Sequence, residues 1–261
     1  MNQPSLKDLL DVATEAAYLA GRRTLAYYNA GVGVDYKGDD TPVTRADKEA
    51  ELVIRDVIAK YFPTHGILGE EHGKTDGGDP DYTWIVDPID GTKSFIHGVP
   101  LYGTIVGCVV KGVPRVGAVF LPPLNDMFAA AEGLGATWNG RKCEVSKVAT
   151  VEESTILAGS ITRAMQRSDA YETLANRCRL NRGWGDVYGY MLVASGRAEV
   201  MLDPVISIWD IAGVAPIVRE AGGFFGNWAG QSTIQGPDAC AINGALKDEV
   251  LGVLKGETKR K

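Results

Sequence analysis

Apolar residues recur every three or four positions near the start of the chain, which is the period of a helix with one buried face. An amphipathic helix is predicted over residues 5–29, whose apolar face holds Leu6, Leu9, Leu10, Ala13, Ala16, Ala17 and Ala20. A second helix is predicted to follow Thr44, because Thr44 as N-cap with Asp47 at the third helical position resembles a capping box. Pro63 ends this second helix. The segment 31–42, which separates the two predicted helices, is turn-rich and polar.

Short apolar runs bounded by Gly, Pro and charged residues predict strands in the middle of the chain. Strands are expected at 66–69 and 82–87, with a loop of charge and glycine at 72–81 between them. That loop is interpreted either as a mobile lid or as an inert surface loop. Three further runs predict an antiparallel meander, followed by an edge segment: 103–110, 114–120, 127–131 and then 133–144.

From about residue 150 strands and helices alternate, which predicts an α/β arrangement with layered sheets. The predicted order is strand 155–159, helix 167–177, helix 187–195, strand 198–202, helix 209–220, strand 223–226, strand 239–242 and helix 246–255. No Pro/Ser-rich linker interrupts the sequence. We therefore predict an N-terminal half, 1–145, and a C-terminal half, 146–261, that form one functional unit.

The composition indicates a soluble globular protein of 261 residues, 45% hydrophobic, with a net charge of −6. An acidic chain without a basic stripe is not typical of nucleic-acid binding, and the one basic cluster, Lys259-Arg260-Lys261, is interpreted as a solvated end. No apolar run approaches the ~18 residues of a membrane span. With four widely spaced cysteines and no signal-peptide pattern, reduced thiols and a cytoplasmic location are expected.

The run from Trp84 to Thr92 carries the strongest chemical signal. It predicts a buried strand ending at Asp87, a turn at Pro88, a second acid at Asp90 and then Gly91-Thr92. Two acids so spaced can point at one spot with the Ile89 carbonyl between them. Together with Glu70 and Asp210 they would form an oxygen site of the kind that Mg²⁺ prefers.

Each of these acids also has a simpler interpretation when it is considered alone. Asp90-Gly91 is a common turn dipeptide, Glu70-Glu71 can be a solvated pair, and Asp210 can be a helix N-cap. Rival chemistries have less support. The three histidines, His65, His72 and His97, lack metal-ligand spacing, and the chain has no G-x-S-x-G, Walker A or G-x-G-x-x-G motif.

The acidic elements occur in a recognisable order: Glu70-Glu71, then Asp87-Pro88-Ile89-Asp90-Gly91-Thr92, then Trp209-Asp210, and finally Glu220-Ala221-Gly222-Gly223. In this order, over roughly residues 6–255, the sequence resembles the inositol monophosphatase family of Mg²⁺-dependent phosphatases. The resemblance implies an α/β fold, a five-layer αβαβα sandwich of the inositol monophosphatase and fructose-1,6-bisphosphatase type. It also implies a homodimer and a small phosphorylated metabolite as substrate.

The resemblance further implies roles for individual residues around two to three Mg²⁺ ions. One metal would be held by Glu70, Asp87 and the Ile89 carbonyl, a second by Asp87, Asp90 and Asp210, and a third, weaker one would lie near Glu70. Thr92, with Asp47 behind it, would orient and deprotonate the attacking water. The amides of Gly91 and Thr92 would bind phosphate, and Glu71, Thr44 and Lys93 would support the site.

Two segments resemble the histidinol-phosphate phosphatases of this family: the stretch that begins at Lys93 and the stretch 182–190 around Asp186. Carboxylates at Asp186 and Asp203 would suit a cationic substrate, and Arg182 would contact phosphate or position Asp186. Alternatively, Arg182 and Asp186 form a structural ion pair, and Asp203-Pro204 is only a turn. Inositol or another polyol phosphate, a nucleotide 3′-phosphate, fructose bisphosphate, and a non-catalytic binding protein on the same fold stay open as alternatives.

Overall fold

The structure is a computed structural model that describes residues 3–38 and 41–256, so the basic tail Lys259-Arg260-Lys261 lies outside the described part. The helices within those ranges are α1 (Leu6–Thr24), α2 (Arg45–Tyr61), α3 (Thr92–Ile96), α4 (Ile161–Arg167), α5 (Asp169–Arg177), α6 (Asp186–Ala194), α7 (Ile208–Ile211), α8 (Val214–Glu220) and α9 (Lys247–Leu254). None of these helices is long and apolar enough to cross a membrane.

Within the same described ranges, the strands fall into three sheets. The strands are β1 (Val34–Tyr36), β2 (Pro42–Thr44), β3 (His65–Gly69), β4 (Gly73–Thr75), β5 (Asp79–Asp90), β6 (Gly103–Val110), β7 (Val113–Leu121), β8 (Asp126–Ala131), β9 (Gly135–Trp138), β10 (Arg141–Lys142), β11 (Thr155–Ala158), β12 (Leu180–Arg182), β13 (Val200–Asp203), β14 (Phe224–Gly226) and β15 (Ala239–Ile242). Strands β1 and β2 form a hairpin. The large sheet has the order β10-β9-β8-β7-β6-β5-β3-β4, and the smaller one β12-β11-β13-β15-β14.

Three apolar clusters separate these sheets and helices into five layers. Helices α1 and α2 pack on one face of the large sheet. Helices α6, α7 and α8 fill the space between the two sheets. Helices α4, α5 and α9 cover the outer face of the small sheet. The predicted αβαβα sandwich is therefore confirmed, and so is the antiparallel meander from β6 to β8.

The local signals at the starts of the first two helices are present in the structure. Ser5 and Asp8 form a capping box at α1, and Thr44 and Asp47 form the predicted one at α2. Helix α1 ends at Thr24, earlier than predicted, where the Thr24 hydroxyl donates to the Gly21 carbonyl at 2.7 Å. The chain then continues in turns to residue 31.

Four predicted segments differ from the observed structure. The polar segment 31–42 contains β1 and the start of β2, and the predicted loop 72–81 contains β4 and the start of β5. The predicted helix 167–177 corresponds to α5, which starts two residues later because Ser168 caps it, and the preceding helix α4 was not predicted. Helix 209–220 is divided into α7 and α8 at Gly213. The four cysteines of the chain are free thiols, as predicted, and three of them are buried.

Candidate metal centre and active site

A bulge at the end of β5 brings two carboxylates to one place. Asp87 lies opposite Ile105 of β6, whereas Asp90 lies opposite Gly103, so three steps along β5 match two along β6. In a regular strand, residues three apart point to opposite faces, and an extra residue re-aims them. The predicted turn at Pro88 is therefore wrong: the strand continues through it, with the Pro88 carbonyl accepting from the Thr104 hydroxyl at 2.8 Å.

Asp210 joins these two acids from the other half of the chain. It is the third residue of α7, where its carboxylate accepts from the Ser207 amide at 2.8 Å in a third capping box. Asp87, Asp90 and Asp210 each offer a carboxylate oxygen, and these oxygens lie within 4.8 Å of one another. We call these three residues the carboxylate cluster.

Burial and mutual repulsion disfavour the charged forms of the cluster. Burial, followed by the charges of Glu70, Asp90 and Asp210, raises the pKa of Asp87 well above its ordinary value. The pKa of Asp90 is raised in the same way, by burial and then by the charge of Asp186. Burial raises the pKa of Asp210 to about 7, against the opposing hydrogen bond from Ser207. A bound cation would relieve this repulsion, because an opposite charge favours the ionised carboxylate.

Thr92 and Asp47 meet beside the cluster. The Thr92 hydroxyl donates to the Ile89 carbonyl at 3.0 Å and lies 3.5 Å from Asp47 Oδ1. The other oxygen of Asp47 accepts from the amide and hydroxyl of Thr44 at 2.8 and 2.6 Å. Burial raises the pKa of Asp47 to about 6, although the bonds from Thr44 oppose that shift. Oδ2 of Asp47 is therefore occupied by Thr44, and Oδ1 faces the Thr92 hydroxyl.

Glu70 and Glu71 lie on the loop between β3 and β4, and Lys37 joins them. The Lys37 ammonium lies 2.7 Å from a carboxylate oxygen of each glutamate. The charge of Glu70 raises the pKa values of Asp87 and Asp210, so Glu70 lies near the cluster but outside the group whose oxygens come within 4.8 Å of one another. Glu71 has only 3% of its side chain exposed.

Asp186 lies over the glycine that precedes α3. One of its carboxylate oxygens is 3.1 Å from the position that a Cβ at Gly91 would take. Asp186 has a φ of 53°, in the left-handed region that Asp tolerates better than most residues. Its carboxylate makes no hydrogen bond or ion pair with a residue of 3–38 or 41–256. Burial raises its pKa, while the charge of the exposed Lys93 opposes this.

Asp203 ends β13 and is 7% exposed, so the alternative that it merely forms a turn is wrong. Burial, followed by the charge of Asp186, raises its pKa to about 8. The Tyr190 hydroxyl nearby is buried without a hydrogen-bond partner of ordinary geometry among the described residues. The pKa of Tyr190 is raised well above its ordinary value, mainly by burial and then by the charge of the neighbouring Asp203 carboxylate.

Arg182 does not pair with Asp186. The Arg182 side chain is exposed and donates to the Asn181 carbonyl at 2.7 Å. Within the described chain it forms no ion pair, so the alternative of an Arg182–Asp186 salt bridge is wrong.

The sequence interpretation missed two charged residues that contact the Glu70-Glu71 loop, Lys37 and Glu51. Lys37 carried no signal, because the contact depends on how the β1–β2 hairpin folds over the loop. Glu51 did carry one. It lies one position after Ala50 and three before Ile54, both of which are fully buried. The signal is therefore a charged residue on the buried face of a helix, where charges are rare unless they are paired.

Comparison with known proteins relates the chain to a family of phosphatases. The model of the inositol monophosphatase family matches residues 5–256. A histidinol-phosphatase of Chlorobaculum parvum is 42% identical over 256 residues, which cover 96% of this chain and 98% of that protein. A histidinol-phosphatase of Mycobacterium tuberculosis is 37% identical over 228 residues, 84% of this chain and 86% of that protein.

Among solved structures, the IMPase of Thermotoga maritima superposes with a TM-score of 0.87 at 32% identity, covering 95% of this chain and 97% of that one. The match extends through both sheets, because it spans nearly the whole of each chain. The sequence match, the shared five-layer fold and the carboxylate cluster agree. The chain belongs to the inositol monophosphatase family.

Proposed function

We propose that this protein is a Mg²⁺-dependent phosphomonoester hydrolase whose substrate is L-histidinol phosphate, which it converts with water to L-histidinol and phosphate. Membership of a phosphatase family supports the reaction type. The observation that carries the choice of substrate is a second acidic group, Asp186 and Asp203, beside the carboxylate cluster. Those two carboxylates exceed what a metal centre requires and favour a substrate that is itself cationic.

The residues of the cluster fit Mg²⁺ by their chemistry. Asp87 is buried and Asp90 and Asp210 are half-buried, and their carboxylates offer oxygens within 4.8 Å of one another. Because burial and mutual repulsion raise their pKa values, a bound cation would favour their joint ionisation at neutral pH. Mg²⁺ prefers such hard oxygen ligands. We propose Glu70, Asp87, the Ile89 carbonyl, Asp90 and Asp210 as its ligands. When bound, Mg²⁺ supplies positive charge at the attacking and leaving oxygens of the phosphate ester.

Thr92 and Asp47 are proposed to prepare the attacking water. The Thr92 hydroxyl is held beside the cluster by the Ile89 carbonyl, so its lone pairs can accept a hydrogen bond from a water placed there. As the hydroxyl takes the water's proton it would pass its own hydrogen to Asp47 Oδ1, 3.5 Å away, turning from the Ile89 carbonyl to do so. Asp47 can take up that proton because a carboxylate with a pKa of about 6 is largely ionised at neutral pH. Thr44 fixes the orientation of Asp47.

The start of α3 is proposed to hold the phosphate. Gly91 has a φ of 87°, a conformation that glycine adopts without steric cost. It turns the chain from β5 into α3, and the first amides of a helix have no partner inside that helix. The amides of Gly91 and Thr92 are therefore suited to donate hydrogen bonds to the phosphate oxygens. Lys93 would add a positive charge near them.

The leaving group would lie toward Asp186 and Asp203. Histidinol carries an ammonium group and an imidazole, whereas a polyol carries neither. Asp186 has no hydrogen-bond or ion-pair partner among the described residues, and burial raises the pKa values of both acids, so their charged forms are disfavoured. An ammonium group placed between them would offset that cost. The names of the relatives from Chlorobaculum parvum and Mycobacterium tuberculosis support the same substrate.

The test is phosphate release with Mg²⁺ from four substrates: L-histidinol phosphate, inositol 1-phosphate, fructose 1,6-bisphosphate and 3′-phosphoadenosine 5′-phosphate. A kcat/KM at least about a hundredfold higher for histidinol phosphate, about 2.7 kcal/mol of discrimination, is expected. A preference for inositol 1-phosphate or a flat profile would contradict the proposed substrate but not the metal-dependent reaction. No release from any substrate would favour the non-catalytic alternative.

We also propose, on the family resemblance, that the protein acts as a homodimer in the cytoplasm. Light scattering coupled to size-exclusion chromatography of the full chain tests the dimer. A monomer at micromolar concentration would contradict it.

A further inference from the structure

Glu51 is a fully buried carboxylate that lies outside the carboxylate cluster. It belongs to α2, and its side chain points at the loop between β3 and β4. One of its oxygens accepts from the Glu71 amide at 2.7 Å, and the other accepts from the His72 amide at 3.2 Å. The carboxylate therefore binds the backbone of the loop that carries Glu70 and Glu71.

That loop is short and begins next to the cluster. Strands β3 and β4 are antiparallel, with Gly69 opposite Gly73, so only three residues join the two strands. Gly73, the first residue of β4, has a φ of 65°, a left-handed conformation that glycine adopts without steric cost as the chain leaves the loop. The amides that Glu51 binds thus belong to two of the three loop residues, and the direction of the Glu70 side chain depends on them.

Glu51 also fits against the strand end just before the loop. A Cβ at Gly69 would lie 2.1 Å from one Glu51 oxygen and 2.6 Å from the other. The carboxylate therefore fills the space that any side chain at position 69 would need. Glycine at this position lets helix α2 approach the last residue of β3.

Arg55 balances the charge of Glu51 and extends its hold to β4. The Arg55 guanidinium donates to Glu51 at 2.7 Å, to the Thr75 hydroxyl at 2.9 Å and to the Gly73 carbonyl at 2.5 Å. A buried carboxylate is tolerated when it is paired and hydrogen-bonded in this way. The pair connects α2 to both strands of the hairpin.

We propose that Glu51 is a positioning residue that sets the affinity of the metal centre by fixing the Glu70-Glu71 loop. It touches neither the metal ligands' carboxylates nor the substrate, and it acts through the loop backbone. A loop that is fixed before the metal arrives loses less freedom on binding, and groups that orient metal ligands typically change metal affinity 10- to 100-fold when they are removed. This inference rests on the proposed metal centre.

The experiment compares Mn²⁺ binding to the metal-free full chain for the wild type, Glu51→Gln and Glu49→Gln. Free Mn²⁺ is followed by electron paramagnetic resonance, so the readout does not depend on turnover. Glu49 is a matched control, because it lies on the same helix and has its own ion pairs with Arg23 and Arg45, away from the loop. Thermal unfolding in EDTA establishes that each variant is folded.

We expect Glu51→Gln to raise the Kd for Mn²⁺ about 10- to 100-fold. The Mg²⁺ concentration that gives half-maximal activity should rise by the same factor, whereas KM for the substrate should be nearly unchanged. Glu49→Gln should stay within about twofold of the wild type. A folded Glu51→Gln with unchanged Mn²⁺ affinity would overturn the inference. If Glu51→Gln does not fold, the double variant Glu51→Gln/Arg55→Gln removes both buried charges and is judged by the same Kd. A wild type that binds no Mn²⁺ would instead overturn the proposed metal centre itself.

Discussion

Gly117 and Gly213 touch backbone to backbone: a Cβ at Gly117 would lie 1.8 Å from the Gly213 carbonyl oxygen. Gly213 separates α7 from α8, and Gly117 is in the middle of β7. The contact seats α7 directly on the large sheet, because only glycine allows so close an approach. Asp210 belongs to α7, so this contact sets how near the third acid comes to Asp87 and Asp90.

We predict that Gly117→Ala destabilises the fold by about 1–3 kcal/mol, since the added methyl must displace backbone rather than a flexible side chain. It should also weaken Mg²⁺ binding, because α7 and Asp210 move away from the sheet. Urea unfolding measures the first effect and Mn²⁺ titration the second. The control is Gly252→Ala in α9, where a Cβ meets nothing within 4 Å. That variant should be neutral or more stable by about 0.5–1 kcal/mol.

Asp90→Asn should abolish turnover while the protein stays folded. The remaining Asn oxygen can still accept from the Val187 amide, which bonds to Asp90 here. The substitution removes one charge from a buried group of like charges, so the metal-free variant should unfold at no lower urea concentration than the wild type. Mg²⁺ should stabilise the wild type and leave the variant nearly unchanged. An Asp90→Asn protein with full activity would show that the cluster is not the metal centre.

The metal-free protein should lose stability as the pH rises. The pKa of an unfolded Asp is about 3.9, whereas burial raises that of Asp210 to about 7 and that of Asp203 to about 8. A pKa that is higher in the folded state contributes stability that is complete below pH ~4 and is lost as the pH rises through the folded values. In the metal-free protein, protons on these carboxylates remove the repulsion between their charges, which a bound metal would otherwise relieve.

Thermal unfolding with Mg²⁺ and with EDTA, at pH values from about 5 to about 8.5, tests this linkage. The difference in Tm between the two conditions should widen as the pH rises, because the metal replaces the protons. Groups outside the site cancel in that difference. A difference that is constant or narrows would mean that these acids do not carry the raised pKa values.

The sequence predicted those parts of the site that depend on neighbours along the chain. The capping box of Thr44 and Asp47 needs only four consecutive residues, and the acids at 87, 90 and 210 stand out in the family motif. The strand bulge could not be predicted, because it is defined by the register of β5 against β6. Pro88 and Gly91 suggested a turn instead, since both residues favour turns wherever no partner strand is known.

The remaining differences also depend on contacts between distant residues. The break in helix 209–220 lies where Gly213 meets Gly117 of the large sheet. Strands β1, β2 and β4 have only three residues each, too few for an alternating pattern to be recognised, and their pairing with a neighbouring strand defines them. Glu51 and Lys37 became part of the site for the same reason: each contacts a loop that lies about 20 or more residues away in sequence.

Asp186→Asn should raise KM for histidinol phosphate much more than KM for phosphate esters whose leaving group carries no positive charge. We expect KM for histidinol phosphate to rise about 5- to 150-fold, corresponding to about 1–3 kcal/mol for a hydrogen bond to a charged group. For inositol 1-phosphate the change should be much smaller, because that leaving group has no positive charge to lose. Asparagine also tolerates the left-handed φ of 53° at this position, so the fold should be retained.

The matched control is Asp169→Asn, which removes the same charge from an exposed position at the start of α5. It should leave KM for both substrates within about twofold of the wild type, since solvent screens an exposed charge. Steady-state kinetics of both variants on both substrates give the comparison. Equal losses on histidinol phosphate and inositol 1-phosphate would mean that Asp186 acts through the common phosphate or metal, because only contact with the leaving group distinguishes the two esters.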